Sequence, residues 1–200
     1  MDFESLKEHI SGLMNEERFL HSLGVMELSG ELAAIYGEDV ERARFAGLIH
    51  DAAKQIPEKD QLALLEKAYE NKEKDPIVFA NRALWHGPAG SVYVKEYFGA
   101  DEEVASAVFY HTIGKREMTL LEKIVFLADC IEINRDGEFD WAPQTREIAK
   151  KDLDGAIVIV VNKSIKSIID RNLIIHPASV ELRNGIIEKR AVKSGRTEKK

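Results

Sequence analysis

The chain has a single cysteine, Cys130, in 200 residues. One thiol closes no intrachain disulfide and rules out a zinc site built from several thiolates, so any metal has to be held by His and carboxylate. Long hydrophobic runs are missing as well. The longest, such as "AIVIVV" at 156–161, fall far short of the roughly 20 residues that span a bilayer. The opening "MDFESLKEHI" lacks the basic patch, apolar stretch and small-residue cleavage site of a secretory signal. A cytoplasmic chain with no membrane partner is expected. Positive charge is scarce too: 28 Lys and Arg against 35 Asp and Glu leave a formal net charge of −7. That sign repels a phosphate backbone and argues against a general nucleic-acid binder, while a small anionic substrate stays open because a metal or a local cation cluster can overturn it. The basic run at the end, with Lys189, Arg190, Lys193, Arg196, Lys199 and Lys200, reads as a disordered tail over 189–200 behind one domain over 1–188.

Hairpin signals and fixed-period repeats are also absent, and the apolar spacing is helical nearly throughout. Asn15 is positioned to cap a helix over 16–36 closed by Gly37, and Asp39 to cap a second helix running through "VERARFAGLIHDAAK" to a stop before Pro57. Short helices are expected at 58–69 and 76–84. Pro88 is placed in the first turn of a helix ending at Gly99, followed by helices over 101–111 and, capped by Thr119, over "LLEKIVFLADCIEI". A short helix near 145–151 and a long one over 152–171 complete the pattern. Residues 136–144 read as the longest loop, and "HPAS" at 176–179 as a further break.

Against this apolar background six polar residues stand out: His21, His50, Asp51, His86, His111 and Asp129. Singly, each has a plain explanation, since a buried His commonly donates to a backbone carbonyl and a lone Asp pairs with an Arg. Asp129, in "IVFLADCI", resists it. An unpaired carboxylate in so apolar a helix costs several kcal/mol or takes up a proton. A divalent cation removes that cost, because ionised oxygen and neutral imidazole are its ligands. Neighbouring helical residues diverge by about 100°, so His50 and Asp51 can face an ion from one side while His21 and Asp129 close from other helices. This is not the zincin arrangement; no H-E-x-x-H occurs. Lys54 and Arg18, each one turn from a candidate ligand, are placed to meet phosphate oxygens beside such an ion.

The ordered set His21, His50-Asp51, Asp129 resembles the H…HD…D pattern of HD-domain metal-dependent phosphohydrolases. Further stretches, "RFLHSLGVMELSGELA", "AGLIHDAAK", "LWHGPAGS", "YHTIGKREMTLLEKIVFLADCIEINR" and "IIHPASVELRNG", resemble one bacterial branch, the HD-domain symmetrical bis(5′-nucleosyl)-tetraphosphatases, over about residues 15–187. The resemblance implies an all-α fold, a single HD-domain helical bundle with a metal site between helices. It implies an acid anhydride hydrolase that cleaves diadenosine tetraphosphate to two ADP by attack of a metal-bound hydroxide. His21, His50, Asp51 and Asp129 are then the iron ligands, with manganese, cobalt or zinc as alternatives. His86 and His111 face a second metal or the phosphates, and Asp51, Lys54, His86 and His111 carry the catalysis. Arg18, Lys54, Thr112, Arg135 and the segment Ile174, Ile175, His176, Pro177, Ala178, Ser179 hold the nucleotide, together with Asp51, His86, His111 and Asp129. Two stretches depart from the branch: "ADCIEINR" replaces the usual "ADYIEPNR", and the 136–144 loop is unlike its "PGV" connection. Two alternatives remain: an HD phosphohydrolase for a guanosine alarmone, a deoxynucleotide or a cyclic dinucleotide, and a nucleotide-sensing helical module without turnover. A homodimer is left open, since no self-complementary surface is legible.

Overall fold

The computed structural model describes residues 3–193 and 195, and among them there is no β-strand and no helix long and apolar enough to cross a membrane. Among the described residues eleven α-helices follow one another: α1 (Phe3–Ser11), α2 (Glu16–Tyr36), α3 (Val40–Ile49), α4 (Glu58–Ala68), α5 (Pro76–Ala80), α6 (Arg82–Phe98), α7 (Glu102–Tyr110), α8 (Leu120–Ile131), α9 (Ala142–Ala149), α10 (Leu153–Asp170) and α11 (Pro177–Lys193). The expected all-α class holds.

Local chemistry sets most boundaries where the sequence puts them. Asn15 accepts the Arg18 N–H at the start of α2, and Gly37, at φ 78°, closes it in the left-handed conformation that glycine adopts without strain. Thr119 and Glu122 form a reciprocal capping box on α8. The apolar stripe of α8, including Ile124, Leu127, Ala128 and Ile131, is fully buried and forms the centre of the main core. Around it α2 packs on α3 and α8, and α7 packs on α6 and α8. A smaller core of Leu65, Tyr69, Val78, Ala89, Phe109 and Ile113 lies between α4, α5, α6 and α7, with Ala178 against it.

Several expectations change. The helix after Asp39 stops at Ile49 instead of running to Pro57, because the His50 ring takes the Gly47 carbonyl (Nδ1···O 2.7 Å) that the helix would otherwise use, and the backbone tightens to Ala52 N–H···O Ile49 at 3.0 Å. The helix expected over 76–84 splits at Asn81, whose extended backbone ends α5 and whose side chain accepts the Ala83 N–H. Pro88 consequently lies inside α6 rather than in its first turn; it withholds one backbone hydrogen bond from the helix. Finally, α9 begins at Ala142, within the expected loop, and "PAS" begins α11, which runs past residue 188 to Lys193. Lys189 and Arg190, within that helix, pair with Glu117 and Asp152. Residues 194 and 196–200 of the expected tail lie outside the described residues.

Candidate metal centre

Close helix packing brings the six polar residues together. A Cβ on Gly47 would stand 2.9 Å from Ser29 Oγ and Val25 O, so only glycine lets α3 lie this close to α2. The His21 and His50 rings then meet edge to face at 5.3 Å. On the other side a Cβ on Gly87 would stand 2.8 Å from Phe109 O, and His86 reaches His111 with ring centroids 5.0 Å apart. His50 and His111 are also 5.0 Å apart. The rings form a continuous row, His21, His50, His111, His86, drawn from α2, the end of α3, the end of α7 and α6.

His50 and His111 end their helices in the same way. Each follows the last helical residue and donates Nδ1–H to the carbonyl three residues earlier, Gly47 at 2.7 Å and Val108 at 2.6 Å. A carbonyl only accepts, so one hydrogen is fixed on Nδ1 and Nε2 is the nitrogen turned inward. His21 is held likewise by the buried Glu132, Nδ1···Oε1 3.0 Å. Among the described residues the buried Nε2 atoms of His21, His50 and His111 and the buried Asp51 Oδ1 have no well-aligned hydrogen-bond partner, although the Asp129 carboxylate stands close to His21. Orphaned polar atoms at this density are rare in folded proteins.

The carboxylates complete the set. Asp129 Oδ1 lies 3.0 Å from His21 Nε2 and 3.7 Å from His50 Nε2. Asp51 reaches in two directions: Oδ2 stands 3.5 Å from His50 Nε2 and 3.9 Å from His21 Nε2, while Oδ1 stands 3.6 Å from His111 Nε2 and 3.4 Å from His86 Nε2. Two overlapping triplets result, His21–His50–Asp129 and His50–Asp51–His111, each with ligand atoms within 4.8 Å of one another. Three inward Nε2 atoms and two carboxylates, with Nδ1 anchored behind each of the three rings, fit a divalent cation between the helices.

Electrostatics agree with that fit. Burial alone pushes the Asp51 and Asp129 carboxyls up, yet the surrounding imidazoles hold both well below the usual carboxylate range. Burial also opposes charge on His50, but Asp51 and Asp129 outweigh it and raise the ring to about 9, so its Nε2 carries a proton at neutral pH that a metal ligand has to give up. His86, whose burial is reinforced by Lys54 and His111, is lowered to about 3 and is uncharged at neutral pH. Two ionised carboxylates thus draw positive charge into a buried space.

Fixed cations flank both. Arg18 Nη1 donates to Asp51 Oδ2 at 2.9 Å, and Lys54 Nζ stands 3.3 Å from the same oxygen. Lys54 reaches it from the turn after α3 rather than from a continuing helix. Arg135 spans Asp129, with Nη2 3.3 Å from Oδ1 and Nε donating to the backbone carbonyl at 3.1 Å. The Thr112 hydroxyl is buried beside His111 without a partner among the described residues. The 174–179 segment does not join the cluster through its histidine. His176 Nε2 bonds Asp75 Oδ2 at 2.8 Å and Nδ1 accepts the Ala178 N–H at 3.1 Å, so both nitrogens are used. Ser179 Oγ donates to Ile113 O, which ties the segment to the turn after His111, and Ile174 is 74% exposed.

Two residues escaped the sequence reading. Glu132 is fully buried, and besides His21 its Oε2 accepts the Asn134 backbone and side-chain N–H at 2.7 and 2.8 Å. Gly24 gives it room: a Cβ there would fall 2.0 Å from Oε2. The available signal was a second acid three residues beyond Asp129 at the end of the same apolar helix.

A family model described as "HD domain" matches residues 18–134. The symmetrical bis(5′-nucleosyl)-tetraphosphatase of Halalkalibacterium halodurans is 38% identical over 175 residues, covering 87% of this chain and 91% of that protein. The protein of the same name from Bacillus subtilis is 34% identical, covering 82% and 86%. The crystal structure of a predicted HD superfamily hydrolase involved in NAD metabolism from Clostridium acetobutylicum superposes with a TM-score of 0.87 at 36% identity, over 94% of this chain and 98% of that one. With its ligand-type residues gathered between helices as that fold requires, the chain belongs to the HD domain family.

Proposed function

We propose that this chain hydrolyses diadenosine tetraphosphate and related dinucleoside tetraphosphates symmetrically, releasing two nucleoside diphosphates. The observation that carries the reading is the cluster itself: three anchored imidazoles with Nε2 turned inward, two ionised carboxylates, and Arg18, Lys54 and Arg135 ranged around them. The similarity to tetraphosphatases over most of the chain supports the substrate.

His21, His50, Asp51 and Asp129 are the proposed ligands of a divalent cation, with iron as the metal of choice and manganese, cobalt or zinc as substitutes of similar ligand preference. Asp51 Oδ1, His86 and His111 form the second face, suited to another ion or to phosphate oxygens. When bound, the cation supplies a nucleophilic water at neutral pH and neutralises charge on the phosphate. The protein groups do the rest. Arg18 and Lys54 meet the oxygens of one inner phosphate, and Arg135 those of the other. The buried Thr112 hydroxyl donates to an oxygen that replaces its missing partner. Uncharged His86 accepts or donates a hydrogen bond without adding charge. One water adds to phosphorus, the P–O bond to the bridging oxygen breaks, and that oxygen leaves on the second nucleoside diphosphate. The 174–179 segment holds the base through backbone and the exposed Ile174 face, His176 fixing its shape.

The test is a product assay with purified protein, iron or manganese, and diadenosine tetraphosphate, resolved by ion exchange. ADP as sole product, abolished by EDTA, is expected. Metal-loaded protein that leaves this substrate intact but cleaves a guanosine alarmone, a deoxynucleotide or a cyclic dinucleotide would transfer the assignment to that substrate.

A further inference from the structure

On the Asp129 side of the cluster a cavity of about 470 Å³ opens between the end of α8, the 136–141 turn and α10. One wall is aromatic: Phe139 and Trp141 stack at 5.0 Å between centroids and 25° between planes. The opposite wall is one face of α10, with Lys163, Ser167 and Arg171 spaced by four residues. Arg135 joins the cavity to the metal centre, because it lines the space, lies 5.9 Å from the Phe139 ring and stands 3.3 Å from Asp129 Oδ1. Lys163 and Arg171 make no ion pair among the described residues; Arg171 Nε donates only to the Ser167 carbonyl.

Stacked aromatic rings with unpaired cations and hydroxyls are the chemistry that holds a nucleoside phosphate: a base adds to the stack and oxygens meet the cations. A symmetrical substrate presents two identical arms, and the cations around the cluster divide in the same way. Arg18 and Lys54 stand at Asp51; Arg135 stands at Asp129 and leads outward to Lys163 and Arg171. We infer that this cavity is the subsite for the second nucleoside diphosphate arm of the dinucleotide, with its base on the Phe139–Trp141 stack. The inference rests on the substrate reading above and adds residues that determine the preference for a substrate with two bases.

Kinetics on metal-loaded protein test it. Trp141→Ala, Lys163→Glu and Arg171→Glu are each expected to raise KM for diadenosine tetraphosphate by about tenfold, with kcat and metal content retained. For Trp141→Ala, KM for adenosine 5′-tetraphosphate, which lacks the second base, moves much less. Unchanged KM for the dinucleotide in all three variants, or an equal shift for both substrates with Trp141→Ala, overturns the inference while the substrate reading stands. Should Trp141→Ala fail to fold, the two α10 variants decide alone, since both side chains lie on the exposed helix face. Should wild-type protein cleave no dinucleoside tetraphosphate, the substrate reading falls, and ADP titration separates the two. Quenching of tryptophan fluorescence that is lost in Trp141→Phe supports a nucleotide subsite in the cavity, and no quenching overturns it.

Discussion

His176 and His111 are both buried within hydrogen-bonding range of backbone, and both lie near the smaller core, yet their ring nitrogens are used differently. In the contact between α5 and the start of α11, Asp75 Oδ2 takes the His176 Nε2–H and the Ala178 N–H fills Nδ1. Asp75 itself caps α5 through the Ile77 and Val78 N–H groups. Every polar atom of that ring has a partner inside the protein. In the metal centre the rings of His21, His50 and His111 are anchored at Nδ1 and turn Nε2 toward Asp51, whose Oδ1 has no hydrogen-bond partner among the described residues, and toward Asp129. Burial of His beside Asp is common to the two regions; what separates a structural contact from a ligand site is which valences the fold leaves unfilled. The first arrangement stabilises the chain by itself, and the second is complete only with a cation.

The largest effect that separates the regions is expected from Asp129→Ala. It removes a carboxylate common to the His21 and His50 contacts, so bound metal falls to background and turnover is abolished, as read by elemental analysis and the product assay. Full metal content with a normal rate would remove Asp129 from the ligand set. Lys54→Ala acts within the same region on the substrate alone: metal content is retained and kcat falls by about 10²–10³-fold. Loss of the metal in that variant would mean that Lys54 holds Asp51 in place rather than meeting phosphate.

One layer outward, Glu132→Ala and Gly24→Ala converge on the same atom. The first deletes the acceptor behind His21, and the second drives a methyl into Glu132 Oε2. Each is expected to weaken metal affinity by about 10–100-fold, measured by competition with a chelator, while Glu132→Gln, which keeps an acceptor oxygen, recovers part of it. Equal affinity in all three variants would make Glu132 a purely structural acid.

His176→Ala is the mirror experiment in the satisfied region: about 1–3 kcal/mol of stability is lost in denaturant unfolding, with metal affinity untouched. Its partner gives a pH dependence of known sign. Burial raises the Asp75 carboxyl, but the Val78 and Ile77 N–H groups and His176 outweigh it and leave the pKa lowered from 3.8. A lowered carboxylate contributes stability that is complete above its unfolded pKa and disappears as pH falls through the folded one. The stability advantage of wild type over Asp75→Asn is therefore constant above about pH 4 and shrinks below it. An advantage that grows on acidification would reverse the assigned ionisation.

Much of this was legible before any coordinates, for local reasons. Asn15, Gly37 and Thr119 act within one helical turn, so their caps could be read from neighbouring residues. Asp129 announced itself because charge in an apolar helix needs a partner. Glu132 carried the same charge at the helix end but was passed over, because the His21 ring it holds and the Gly24 that makes room for it lie more than a hundred residues away. The early stop of α3 was hidden for a different reason: the His50 ring competes with the backbone for one carbonyl, which apolar spacing does not record. His176 shows the converse, since the sequence does not reveal that its ring is held by Asp75 and by the Ala178 N–H. The cavity on α10 also went unread, because Trp141 and Lys163 become neighbours only when the turn after α8 folds against a helix placed later in the chain.

The smallest effect concerns the end of α11, which continues to Lys193. Arg190 Nη1 meets Asp152 Oδ1 at 2.6 Å, and Asp152 in turn caps α10 by accepting the Gly155 N–H. Arg190 is the first influence that lowers the Asp152 carboxyl, ahead of the opposing effect of burial. Both side chains are nevertheless largely in water, where an ion pair is screened and must order two long groups. Arg190→Ala should therefore cost only about 0.5 kcal/mol, less at high salt, and leave metal content and turnover unchanged. A loss as large as that of His176→Ala, persisting in salt, would mean that the last turns of α11 hold α10 in place. The cavity wall carrying Lys163 and Arg171 would then depend on a contact at the opposite end of its own helix.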